Sequence, residues 1–159
     1  MDIPIKQILL QQFGAAIAML ENAIQACPDH LWNTETQFWY RSYHTIFYLD
    51  YYSSTDPDHF APPAPFTLSE FDSSGTLPDR VYSKLELINY LHFGKQKCSD
   101  LLHNLTPELA EQRFINKARN YSILEIIVYN MRHVQHHVAQ LNLLLRQGGI
   151  ESPGWVSRY

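Results

Sequence analysis

Apolar side chains recur at steps of three and four along four long stretches of this chain, the period of a helix with one buried face, and no stretch makes a convincing strand. The first, residues 5–27, carries Ile8, Leu9, Phe13, Ala16, Ile17, Leu20 and Ile24, and Pro28 with Asp29 stops it. The second, residues 34–53, opens on Thr34, Glu35, Thr36 and Gln37, the spacing of a capping box, and is aromatic nearly all round. The third, residues 79–105, has Val81, Leu85, Ile88, Leu91 and Leu102 as its stripe; Thr106 and Pro107 after it are the N-cap and first residue of a short turn. The fourth, residues 120–147, ends at Gly148 and Gly149, a left-handed cap. A chain of 159 residues is too short for two domains of ordinary size. The pattern therefore predicts a single all-α domain over residues 1–159, an antiparallel four-helix bundle with a long crossover loop between the second and third helices.

That loop, residues 53–78, holds five of the nine prolines together with Phe60, Phe66 and Phe71. Long ordered connections in compact domains often serve function. The plainer reading comes first, a crossover that its phenylalanines pin in place, with a lid as the alternative; either way the loop is expected near the mouth of a site or along the adjacent bundle face.

Three histidines crowd the fourth helix, in MRHVQHHVAQL. At about 100° per residue, His133 and His137 lie about 40° apart and one turn along, so their imidazoles point the same way. Their stripe continues through Ile123, Ile126, Asn130 and Leu144, toward packed structure. His136 falls toward the sector of Glu125 and Arg132 and reads as a surface group or a neighbour of the ligands. An HxxxH pair can chelate a divalent ion, although two histidines at this spacing, taken alone, are more often structural. The candidate third ligand is His44, in YRSYHTIFYLDYY, on a stripe with Tyr40, Phe47, Tyr48 and Tyr51. Inward positions on two helices of a bundle can converge on one ion, and three histidines leave a fourth position open for chemistry. Asn130, Gln140 and Asn142 are candidates to orient the imidazoles. Tyr48 and Tyr129 read as packing residues first and proton donors second. His30, His59, His92 and His103 read as solvated.

Composition narrows the function classes. A net charge of −4 with no basic cluster argues against nucleic acid and anionic membranes as partners. Cys27 and Cys98 lie far apart and outside CxxC spacing, which suggests neither a disulfide framework nor a thiolate zinc site. With no run of about 20 apolar residues, and no charged segment before an apolar one in MDIPIKQILL, the expected location is the cytoplasm.

Several of these stretches resemble the DinB-like superfamily. AIQACPDHLWN is similar to that family's opening helix and the turn leading into a tryptophan. WYRSYH resembles the segment in which a serine stands two residues before the first metal-binding histidine. HVQHHVAQLNLLLRQGGI resembles the closing HxxxH helix, with a glutamine after the last histidine, although Ala139 stands where the family commonly has glycine. The resemblance implies a four-helix bundle, a divalent transition metal on His44, His133 and His137, frequently a homodimer, and in several members thiol-dependent S-transferase or isomerase activity with a low-molecular-weight thiol cosubstrate. Zinc and nickel head the candidate ions, and a His₃ set also accommodates iron, manganese or cobalt. No residue here marks a particular thiol, and no catalytic residue beyond the ligands stands out. The rival readings are a non-catalytic metal-binding or stress-response protein, a metal-dependent hydrolase, and a helical interaction module without metal. A second apolar stripe on the fourth helix, Leu124, Val128, Met131 and Val138 with Asn142, predicts a homodimer surface.

Overall fold

The computed structural model describes residues 3–159, and the chain is mostly helical with one small two-stranded sheet. Helix α1 spans Ile3–Ala26, the one-turn α2 Asp29–Trp32, α3 Phe38–Tyr52, α4 Lys84–His103, α5 Pro107–Glu111 and α6 Ile123–Gln147; strands β1 (Arg113–Ile115) and β2 (Asn120–Ser122) precede α6. Helices α1 and α3 each pack against both α4 and α6. One core fills the space between the four long helices, and Phe13, Leu20, Ile24, Ile46, Phe47, Leu87, Leu91, Val138 and Leu141 are among its fully buried members. Each such side chain contributes about 1.5–3 kcal/mol on leaving water. Among the described residues no helix is long and apolar enough to cross a membrane.

The helix boundaries correct several expectations. Thr34–Gln37 forms no capping box. Gln37 instead takes a left-handed conformation at φ 53° and donates its N–H to the Thr34 carbonyl at 2.9 Å, so α3 starts at Phe38. That tight turn allows Trp32 and Trp39 to be buried on either side of it, their indoles donating to the Tyr82 carbonyl and to Asn33 Oδ1. The capping box lies further on, before α4. Ser83 Oγ accepts from the Glu86 N–H, Glu86 accepts from the Ser83 N–H at 2.8 Å, and Arg80 grips the same carboxylate at 2.6 Å. With α4 starting at Lys84, the buried face is Leu87, Tyr90, Leu91, Gly94, Cys98, Leu101 and Leu102, and Leu85 of the expected stripe stands 70% exposed. Ile8 of the first stripe is also outside, at 57%.

Two elements follow the sequence reading closely. Thr106 Oγ1 accepts from the Leu109 N–H and Pro107 opens α5. Helix α6 ends with the Ile150 N–H on the Leu145 carbonyl and Gly149 left-handed at φ 77°. The hairpin was not expected. It pairs Phe114 with Tyr121, buries Phe114 completely, and turns through residues 116–119, where Asn116 Oδ1 accepts the N–H groups of Ala118 and Arg119. Ser122 ends β2 and caps α6 by accepting from the Glu125 N–H.

The crossover between α3 and α4 is held by its aromatic residues. Phe66 stacks on Tyr90 at 4.2 Å, while Phe60 and Phe71 pack on Phe47 and Tyr51. Two short 3-10 turns, Pro57–His59 and Leu68–Phe71, punctuate it, and the second brings Glu70 against α3.

Candidate metal centre

His44 projects from the middle of α3, and His133 and His137 from the middle of α6, at the seam where these two helices pack. One nitrogen from each ring lies within 4.8 Å of the others. His133 Nε2 and His137 Nε2 are 3.1 Å apart, and the His44 ring centroid sits 4.8 Å from that of His137 and 5.4 Å from that of His133. Nitrogens bound to one tetrahedral ion at about 2.0–2.1 Å stand about 3.3 Å apart, so the α6 pair is already at chelating separation.

The outer nitrogens fix two of the three tautomers. His44 Nδ1 is 2.7 Å from Glu70 Oε2, and a carboxylate can only accept, so Nδ1 carries a proton and, in the neutral ring a metal requires, Nε2 holds the lone pair. His137 Nδ1 is 2.8 Å from Gln140 Oε1 and likewise donates outward. A neighbour that holds the outer N–H of a ligating imidazole fixes the ring and raises its basicity. His133 has no such partner, its Nδ1 being buried without a hydrogen bond.

The electrostatics of the group favour a cation. Burial, reinforced by the His137 and His44 imidazoles, holds His133 down to about 3. Burial likewise holds His137 to about 4, against the opposing hydrogen bond to Gln140. Both rings are therefore neutral near pH 7, the state a ligand needs. The Glu70 side chain is only 3% exposed and its Oε1 has no hydrogen-bond partner, so a carboxyl group is buried against His44 with part of its hydrogen-bonding capacity unused. A buried charge without a counter-charge is costly. A divalent ion on the far side of His44 would supply that counter-charge, and the donor set fits zinc and its neighbours.

The three expected ligands thus come together. Of the expected orienting groups only Gln140 touches an imidazole. Asn130 Nδ2 donates to the Leu49 carbonyl at 3.0 Å and holds α6 to α3, and Asn142 has no contact with the rings, its Oδ1 being buried without a partner. His136 is exposed, with its Nε2 3.2 Å from Gln140 Nε2. His59 and His92 pair with Asp56 and Glu21 at the surface. Glu70 was missed. Its only sequence signal is a carboxylate in a long proline-rich loop expected at the site's mouth, which gives no spacing from which to derive contact with His44.

Tyr48 and Tyr52 wall the site. Tyr48 lies 4.9 Å from the His44 ring and 5.5 Å from that of His133, and Tyr52 5.9 Å from His133. Beyond them opens a cleft of about 420 Å³ bordered by Glu70, Phe71 and the hairpin turn. The sequence matches no protein-family model and no curated protein.

Proposed function

We propose that this chain is a divalent-metal-dependent enzyme of DinB-like type, its ion held by His44, His133 and His137 and its four long helices arranged as an antiparallel bundle. The observation that carries the reading is the convergence of three imidazoles from two helices, two of them 3.1 Å apart at Nε2, with outer nitrogens held by Glu70 and Gln140. Three protein ligands and an adjoining cleft favour catalysis over a purely structural ion, because structural sites are closed by a fourth protein ligand. Bound there, a divalent ion would supply the Lewis acidity that keeps a thiol deprotonated near neutral pH. Glu70 and Gln140 orient the rings, and Tyr48 and Tyr52 keep bulk water from one side. The reaction proposed is transfer of a low-molecular-weight thiol to a small electrophile.

Elemental analysis of untagged protein, followed by turnover of 1-chloro-2,4-dinitrobenzene with and without glutathione, tests this. A stoichiometric zinc or nickel ion and thiol-stimulated turnover are expected. An ion without turnover would leave a non-catalytic metal protein, thiol-independent ester cleavage would point to a hydrolase, and no ion at saturating zinc would end the reading.

We also propose a homodimer through α6. The surface narrows to the exposed Val128 with the partly buried Leu124 and Met131 beside it, because Val138 is fully buried within its own chain. Light scattering on wild type and Met131→Glu tests it: a monomeric wild type rejects the dimer.

A further inference from the structure

The hairpin turn carries an arginine that the packing of the chain does not consume. Arg119 lines the cleft that opens beyond the tyrosine wall of the site, together with Tyr48, Tyr52, Phe71 and Lys117. Its guanidinium lies over two tyrosine rings, 4.7 Å from Tyr129 and 5.4 Å from Tyr52, and Nη2 donates to Tyr129 Oη at 2.7 Å. Among the described residues it pairs with no carboxylate. A guanidinium has five N–H donors in a flat fork, and one hydrogen bond leaves most of them free.

The position is also fixed in advance. Asn116 accepts the Arg119 N–H at 2.8 Å, donates its own N–H to the Arg119 carbonyl at 2.9 Å, and reaches Tyr51 Oη on α3 at 3.2 Å. The turn is thereby tied to the same helix that carries His44. The Tyr52 ring neighbours both groups, 5.4 Å from the guanidinium and 5.9 Å from the His133 imidazole. Of the two acidic groups of the cleft, Asp58 is exposed to solvent and Glu70 is hydrogen-bonded to His44, and Lys117 adds a second cation to the same lining.

We infer that this cleft binds a small organic anion, a carboxylate or phosphate ester, with its charged group on Arg119 and its apolar body against Tyr48, Tyr52 and Phe71. The inference deepens the proposed function by naming its substrate class. The body of such a ligand would run from the arginine along the tyrosines that wall the histidines, and a cleft of about 420 Å³ has room for one ring with its substituents. The planar fork suits the two oxygens of a carboxylate or phosphate, which a lysine would meet only as a point charge.

The test uses the full chain, labelled with ¹⁵N and stripped of metal, titrated with benzoate, phenyl phosphate and the neutral isostere benzamide. At least one anion is expected to shift the Arg119 Nε–H resonance, and benzamide to bind roughly tenfold more weakly or worse. The tighter of the two anions identifies the kind of headgroup. Arg119→Gln should weaken anion binding by about ten- to a hundredfold and leave zinc stoichiometry, measured separately, unchanged. Equal binding of benzamide, or unaltered anion binding by Arg119→Gln, overturns the inference. Should Arg119→Gln fail to fold, the wild-type resonance and Arg119→Lys decide, the lysine variant being expected to keep only part of the affinity. Loss of zinc binding with anion binding intact would reject the metal reading and spare this one.

Discussion

Two polar clusters lie less than two turns apart on α3, and only one of them is closed. At Asp50 the side chain is fully buried, yet both oxygens are used: Lys97 donates to one at 2.6 Å and Tyr90 to the other at 2.9 Å. The charges cancel and the groups need nothing from outside the chain. At His44 the sums do not close. Imidazole nitrogens converge, and Glu70 Oε1 and His133 Nδ1 are buried without a partner. A network completed by its own side chains serves the fold, whereas one left with buried polar atoms unpartnered is arranged for a ligand.

The sharpest way to break the comparison is to remove one member of each cluster. His137→Ala or His44→Ala should abolish stoichiometric zinc binding, read by elemental analysis or calorimetry, with His136→Ala as a control that keeps it. Retention of a full complement by all of the ligand variants would end the assignment. Lys97→Met should do the reverse, costing about 3 kcal/mol in urea unfolding because Asp50 is left buried without its counter-charge, while zinc stoichiometry stays intact.

Glu70→Gln sharpens the contrast without dismantling the site. The amide still fills the space but can no longer balance a dication, so zinc affinity should fall about ten- to a hundredfold with stoichiometry preserved at saturation. An unchanged affinity would reduce Glu70 to a packing residue.

The smallest effect is on pH. His133 and His137 titrate near 3 and 4 in the folded chain, against 6.5 for an unperturbed imidazole. In that window the unfolded chain binds more protons, so their contribution to stability is complete above about pH 6.5 and declines as the pH falls toward 4 and 3. Urea unfolding of metal-free protein at pH 7.5, 5.5 and 4.5 should show the decline, and a His133→Gln, His137→Gln double variant should flatten it. An equal slope in both proteins would assign the dependence elsewhere.

What could be read from the sequence was what local spacing carries. Helical periodicity located the four long helices, and the i, i+4 histidines with an aromatic-flanked third gave the cluster later found together. Contacts between distant residues left no such trace. Glu70 reaches His44 only because three phenylalanines fold the crossover back on α3, and no interval in the sequence encodes that. The strands RFI and NYS are too short for alternation to register. The start of α4 was legible and misread: Ser83 with Glu86 three residues on is a capping-box signature, whereas the same spacing at Thr34 was overruled by the burial of two tryptophans.

The placement of the ligands on α3 and α6 has a topological side. His44 and His133 are distant along the chain, so an ion shared between them would close a ring that threads α4, α5 and the hairpin and leaves α1 outside. Closing so long a ring removes conformations chiefly from the unfolded chain, and the cost grows only slowly with its length. The loaded protein would then behave as a lasso with one free strand. Slow amide exchange would concentrate within the ring, and α1, the one long helix the ion does not tether, would be where opening begins.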